Sequence, residues 1–77
     1  MILAERIEKA PDGRSLTILG EMAGYEAKEW RRIADLAHGK DDEFEAECIA
    51  DAEKYEALRD RAEARKADLP PPQVSDE

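Results

Sequence analysis

Apolar residues recur at helical spacing through most of the chain, and the pattern divides into three segments. In the first segment, residues 2–10, Leu3, Ile7 and Ala10 lie on one side of a helix. The Pro-Asp-Gly sequence at 11–13 ends this helix, because proline removes a backbone donor and Asp-Gly favours a turn. The pattern therefore predicts a short N-terminal helix before the first turn.

The second segment predicts one amphipathic helix over residues 16–38, with Ser15 as its N-cap. Gly20 and Gly24 lie inside it, and each costs about 1 kcal/mol relative to alanine. A break near Gly24 is therefore an alternative to the continuous helix that we expect. A strand over 15–19 is a further alternative, but it would have no second strand to pair with. The apolar face of the helix, termed the hairpin core, is formed by Leu16, Leu19, Ala23, Trp30, Ile33 and Ala37.

A stop signal and a start signal lie next to each other after the second segment. Gly39 suits the left-handed residue that ends many helices, and Asp41 or Asp42 can cap the next helix. Asp42 with Glu45 three positions later also resembles a capping box. From there the pattern predicts a helix over about 42–68, about 40 Å long at 1.5 Å per residue. Its apolar positions, termed the self-association stripe, are Phe44, Cys48, Ala52, Tyr55, Leu58 and Ala62.

Two long helices joined by a short connection predict an all-α antiparallel hairpin, because a short loop places the second helix beside the first. The self-association stripe is longer than the preceding helices can cover, so we expect two hairpins to form a homodimer. The architecture resembles that of small helical-hairpin dimers of plasmids and phages, without a shared motif. Residues 1–69 form the predicted domain, and the prolines at 70–72 predict a disordered tail over 70–77.

The composition limits the size of the hydrophobic core. Ile, Leu, Val and Phe together contribute 13 of 77 residues, and a further 13 residues are Ala. Alanine packs closely but buries little apolar area, so a chain of this length should need self-association or a partner to be well folded. Glu5 closely follows the short apolar start of the chain, and there is one cysteine. We therefore expect no signal peptide, no membrane span, no internal disulfide and a cytoplasmic location.

The net charge is concentrated in one segment. The chain has 20 acidic and 12 basic residues, for a formal charge of -8. Residues 41–53 hold seven of the acids and no base, whereas residues 1–40 are neutral overall. Helix starts favour acidic side chains, but such a surface also suits docking to a basic protein and repels nucleic acid and anionic membranes. This acidic segment comprises Asp41, Asp42, Glu43, Glu45, Glu47, Asp51 and Glu53.

Residues with the chemistry for catalysis or metal binding have structural explanations. Cys48 lies on the self-association stripe, where a buried thiol is expected. His38 lies at a helix C-terminus, which stabilises a protonated imidazole. Asp35 lies one turn before His38, but no second histidine or cysteine pair completes a metal site. The segment that contains Gly20 and Gly24 does not have the lysine that a phosphate-binding loop carries. We therefore predict no enzyme activity, no metal and no cofactor.

The sequence favours a non-catalytic acidic protein-interaction module. We expect a small regulator or inhibitor, of the kind that phages and mobile elements encode, that binds a basic surface of a partner protein. The alternative is a small helix-turn-helix DNA-binding regulator that uses residues 16–38. In that case 25–38 would be the recognition helix and would carry Lys28, Arg31 and Arg32. Neighbouring acids and the net charge oppose phosphate contacts, so nucleic acid is the less favoured partner.

Overall fold

Three helices account for nearly all of the residues that the structure, a computed structural model, describes, namely residues 2–69. They are α1 (Leu3–Lys9), α2 (Gly13–Ala37) and α3 (Asp42–Asp68), and residues 2–69 contain no strand. The largest interface in the chain is between α2 and α3. The all-α fold with two long, packed helices is thereby confirmed. The predicted tail at 70–77 lies outside the described residues.

α2 begins earlier than the sequence predicted. The carboxylate of Asp12 accepts a hydrogen bond from the backbone N–H of Ser15 at 2.8 Å, which makes Asp12 the N-cap. Ser15 therefore lies inside the first turn, and its prediction as the N-cap was wrong. A charged carboxylate at the positive end of the helix dipole is a stronger acceptor than a hydroxyl. The hydrogen bond from the Ser15 backbone lowers the pKa of Asp12.

α2 is continuous through Gly20 and Gly24, so the alternative of a break near Gly24 is wrong. Gly39 is the only residue of the described range with a positive φ angle, so neither helical glycine adopts a conformation that requires glycine. A β-carbon on Gly20 would lie 3.5 Å from that of Ala62, and one on Gly24 would lie 3.5 Å from Cδ of Arg59. Both glycines thus lie close to α3 without forming a hinge.

The connection between α2 and α3 is a tight turn built around Gly39. This residue has a φ angle of 79°, in the left-handed region that favours glycine. The backbone N–H groups of Lys40 and Asp41 donate to the carbonyl of Ala37 at 2.9 and 3.0 Å. These bonds satisfy a carbonyl at the end of α2 and reverse the direction of the chain.

α3 begins at Asp42, as predicted, and of the two predicted N-cap residues it uses Asp41. The carboxylate of Asp41 accepts a hydrogen bond from the backbone N–H of Phe44 at 3.0 Å, so Asp41 is the N-cap. The capping box between Asp42 and Glu45 does not form, because Asp42 is already the first helical residue. Glu45 Oε2 instead lies 2.9 Å from Nδ1 of His38.

Small side chains fill the α2–α3 interface in the half of the hairpin nearest the turn. On α2 they are Ala27, Ala34 and Ala37, and on α3 they are Cys48 and Ala52. None of them is more than 9% exposed, although only two helices meet here. Small side chains allow the helices to approach closely, but they remove little apolar area from water.

α1 packs over the other half of the hairpin, where the larger core side chains lie. Ile7 and Leu16 are at most 1% exposed, and they form one cluster with Ala10 and Ala62. The partly buried residues that pack against this cluster are Leu3, Leu19, Leu58 and Leu69. α1 therefore covers part of the apolar surface that the sequence analysis left for a second copy of the chain.

The structure divides both sets of apolar residues that the sequence analysis selected. In the hairpin core, the buried members are Leu16, Ala23 and Ala37, and the half-buried members are Leu19, Trp30 and Ile33. In the self-association stripe, Phe44 is exposed and the half-buried members are Tyr55 and Leu58. The members that are buried within a single chain are Cys48, Ala52 and Ala62. These last three are already covered within a single chain, and homodimer formation through the self-association stripe stays a prediction.

Candidate functional site

The acidic segment covers the N-cap and the first turns of α3, next to the turn of the hairpin. Five of its seven carboxylate residues are exposed, and two are half-buried. The half-buried residues are Glu45 and Asp51. The exposed residues are Asp41, Asp42, Glu43, Glu47 and Glu53. Most of the segment is thus in solvent, as a surface for another molecule requires.

Two of these carboxylates have structural roles at the turn. Asp41 caps α3 through Phe44, and Glu45 lies 2.9 Å from the imidazole of His38. The His38 side chain is 77% exposed, so the pair is screened by solvent and is fully ionic only when the imidazole is protonated. These contacts join the turn to α3 and leave Asp41 and Glu45 less available to a partner.

The other five carboxylates carry most of the unpaired charge of the site, although the charge of Glu53 also helps to raise the pKa of Arg31. They form no salt bridge with any residue of the 2–69 range, and they are Asp42, Glu43, Glu47, Asp51 and Glu53. Some acids elsewhere do pair with an arginine, among them Glu29 and Glu56. Two exposed alanines, Ala46 and Ala50, lie in the same turns. Their small side chains leave the carboxylates accessible from solvent.

The candidate reactive residues are dispersed in the structure. Cys48 is a free cysteine with no exposed surface. Burial raises the pKa of its thiol, and the charges of Asp51 and Glu47 raise it further, so the neutral thiol is favoured. Among residues 2–69, no group of three or more His, Cys, Asp or Glu side chains is arranged to hold a metal. Asp35 and His38 therefore belong to no such group. The absence of enzyme activity stays a prediction.

The arginines of the alternative DNA-binding function are tied to nearby carboxylates. Arg31 donates from Nε and Nη2 to both carboxylate oxygens of Glu56 at 2.8 and 3.0 Å, and Arg32 Nη2 donates to Glu29 at 3.0 Å. The bidentate pair raises the pKa of Arg31 and lowers the pKa of Glu56. Because α2 is unbroken, residues 16–38 do not have a helix-turn-helix geometry. The guanidinium groups of Arg31 and Arg32 are each paired with a carboxylate of this chain.

Two arginines of α3 hold α1 in place, and the sequence analysis did not identify them. Arg61 donates from Nε and Nη2 to the carboxylate of Glu8 at 2.7 and 3.0 Å. Arg65 Nη1 donates to the backbone carbonyls of Ile7 at 2.6 Å and Ala10 at 3.4 Å, and so satisfies carbonyls at the end of α1. The partners in each contact are 53 or more positions apart. The sequence gives one signal that the end of α1 needs another cap, since no glycine directly follows this helix.

An exposed apolar surface on α2 was also missed. Ile18, Met22 and Tyr25 are 52%, 49% and 63% exposed. Their spacing of four and three positions places them on one side of the helix, and we term them the apolar α2 face. The spacing is visible in the sequence, although these residues lie outside the apolar stripe that begins at Leu16.

Comparisons with protein-family models, with curated proteins and with solved structures found no match for this chain. Of the helices that the described residues form, none is both long enough and apolar enough to span a bilayer.

Proposed function

We propose that this chain is a non-catalytic protein-interaction module, a small regulator or inhibitor whose acidic segment binds a basic surface of a partner protein. One observation supports the proposal, namely the five carboxylates on α3 that form no salt bridge within residues 2–69. A cytoplasmic location is part of the proposal, since the free thiol of Cys48 suits a reducing compartment.

Unpaired carboxylates on one surface reinforce one another electrostatically. Side chains one helical turn apart are separated by about 5–6 Å, which is less than the Debye length of about 8 Å at physiological ionic strength. Their potentials therefore add over the first turns of α3. Such a surface speeds association with a basic protein, and it repels the phosphates of nucleic acids.

The geometry of the segment indicates which groups of a partner would bind there. Glu43 and Glu47 are one turn apart on α3, so two arginines or lysines on a partner helix or loop can bind them together. The exposed Ala46 and Ala50 leave room for the aliphatic parts of those long side chains. A basic helix or loop is thus the partner surface that fits this site.

The test compares three forms of the chain as baits in extracts of the cells that produce it. The first form is the unmodified chain. The test variant removes three exposed charges of the acidic segment through Glu43→Gln, Glu47→Gln and Glu53→Gln. The control variant removes three exposed charges elsewhere through Glu5→Gln, Glu63→Gln and Asp68→Asn. Both variants change the net charge by the same amount, so only the position of the charges differs.

We expect a protein that the unmodified chain and the control variant retain and that the test variant loses. The complex should weaken as the salt concentration rises. Circular dichroism should show the same helix content for all three forms, because none of the altered carboxylates takes part in a salt bridge within residues 2–69. Equal retention by all three forms would contradict the proposal, and retention of nucleic acid instead of protein would favour the DNA-binding alternative.

A further inference from the structure

Among the large apolar side chains of residues 2–69, more are exposed than are fully buried. The largest fully buried side chains are Ile7, Leu16 and Cys48, whereas six large hydrophobic residues of the 2–69 range are exposed. Three of these six form the apolar α2 face. A cluster of exposed apolar residues on a domain with so small a core is typical of an interaction surface.

The apolar α2 face borders an open groove to which all three helices contribute. One depression of about 630 Å³ is lined by this face together with Leu3 of α1 and Tyr55 of α3. A second depression of about 560 Å³ shares Arg6, Ile18 and Met22 with the first and continues along α1 and α2. The exposed apolar side chains therefore belong to one continuous surface.

Charged side chains of opposite sign line the two parts of this groove. The depression nearer the start of α2 is lined by Arg6 and Lys9 and by no acid of the 2–69 range. The other depression is lined by Glu21 and Glu26, and Arg6 lies between the two. None of these four side chains forms a salt bridge with a residue of the 2–69 range. Their charges are thus available to a molecule bound in the groove.

We propose that a second copy of the chain docks in this groove, with the two α2 helices antiparallel about a two-fold axis close to Met22. A two-fold axis at this position brings residues that precede Met22 against residues that follow it in the other copy. Ile18 then lies opposite Glu26 of the partner subunit, four positions to either side of Met22. The basic depression of each copy faces the acidic depression of the other, and the two apolar α2 faces cover each other.

Charge and stability both favour a second copy over an unrelated protein. The groove has a basic part and an acidic part on either side of one apolar centre, so it is complementary to itself in the antiparallel arrangement and not in the parallel one. The core of the single chain is small and rich in alanine. A second copy is present whenever the chain is, so it can supply the missing apolar contact in every cell that makes the protein.

The test measures the mass of the full chain by light scattering and sedimentation over a range of concentrations. We expect a dimer whose dissociation constant rises by about tenfold or more in Met22→Glu, because the change places two like charges at the centre of the interface. Leu36→Glu is the matched control, since Leu36 is an exposed leucine of the same helix at a distance from the groove. It should leave the dimer unchanged, and both variants should stay helical because both positions are exposed.

A charge exchange makes the test specific to the antiparallel arrangement. Arg6→Glu should weaken the dimer, and the double variant with Arg6→Glu and Glu26→Arg should restore it. The triple variant at Glu43, Glu47 and Glu53 should remain a dimer, so failure of this inference is distinguishable from failure of the proposed function. A monomer at every concentration, or a dimer that Met22→Glu leaves intact, would overturn the inference. If the chain is a monomer that binds another protein, and Met22→Glu abolishes that binding, the groove belongs to a different partner.

Discussion

The two ends of the hairpin differ in how they are stabilised. At the α1 end, three helices bury Ile7 and Leu16, and Arg61 and Arg65 connect α3 to α1. At the turn end, two helices meet through alanines and Cys48, and most of the nearby carboxylates have no salt-bridge partner in residues 2–69. The end with the larger core therefore stabilises the fold, and the other end carries exposed charge.

α3 shows the same difference along its own length. Arginines of its second half take part in structural contacts, whereas the acids of its first half, apart from Glu45, form no salt bridge within residues 2–69. Like charges one turn apart disfavour a helix by a few tenths of a kcal/mol per pair. The first half therefore depends on the Asp41 cap and on the packing of Cys48 and Ala52 against α2. Glu47, Asp51 and Glu53 lie beyond the first turn, where the helix dipole no longer favours them. Charges that weaken a helix without a structural benefit are typical of a surface with a binding role.

The largest effect is expected in the core of the α1 end. Ile7→Ala removes a fully buried side chain, and we expect it to lower the free energy of unfolding by about 2–4 kcal/mol. Leu36→Ala removes a leucine side chain that is 62% exposed, and it should change that free energy by less than about 0.5 kcal/mol. Urea unfolding followed by circular dichroism measures both. Similar losses for the two variants would contradict the assignment of the core to the α1 end.

A smaller effect is expected for the arginine that caps α1. Arg65→Met leaves the carbonyls of Ile7 and Ala10 without their side-chain donor, and we expect a loss of about 1–2 kcal/mol. Amide exchange should quicken in α1 first, because the lost bonds join α1 to α3. Arg14→Met is the control, since Arg14 is exposed and forms no salt bridge within residues 2–69. If both variants behave alike, Arg65 does not hold α1.

The two kinds of glycine should respond to alanine with opposite signs. Gly24→Ala should raise the free energy of unfolding by up to about 1 kcal/mol, because the site is helical and the new β-carbon lies 3.5 Å from Arg59, an ordinary contact. Gly39→Ala should lower it by about 1 kcal/mol, because its φ angle is 79°. Thermal unfolding shows the sign directly. A lower melting temperature for Gly24→Ala would mean that α2 is broken there.

The smallest effect concerns pH and the pair between α1 and α3. The hydrogen bond from Arg61 lowers the pKa of Glu8 from its ordinary value of 4.5. A carboxyl with a lowered pKa stabilises the folded chain above that ordinary value, and this stabilisation is lost as the pH falls through the lowered pKa. The stability difference between the unmodified chain and Glu8→Gln should therefore be greatest above about pH 5 and shrink in acid. A difference that grows in acid would contradict the pair, and Glu5→Gln serves as the control.

Local patterns predicted the parts of this fold that depend on neighbours within one turn. The start of α3 at Asp42, the turn at Gly39 and the unbroken α2 are of this kind. The choice between Asp12 and Ser15 as the N-cap depends on the conformation of the preceding turn, which residue preferences alone do not determine. The contacts of Arg65 with α1 depend on how the helices lie in space, and no local pattern contains that information.

The candidate site was predictable in composition but not in detail. The concentration of acids in 41–53 is a property of the sequence, and so is the absence of bases there. Which carboxylates stay unpaired depends on the reach of arginines from other helices, such as Arg31, which binds Glu56 and not Glu53. The apolar α2 face follows from the position of α1, which covers Leu19 in part and leaves Ile18 exposed.

Amide hydrogen exchange along α3 is the most direct test of the central claim that the acidic segment binds a partner. The measurement compares two samples, the free chain and the chain in complex with its partner. The partner is the protein that the unmodified chain retains from cell extracts. We expect the partner to slow exchange over residues 42–53, while residues 56–66, which α1 already stabilises, change little. Protection confined to residues 56–66 or to α1, with 42–53 unchanged, would contradict the account.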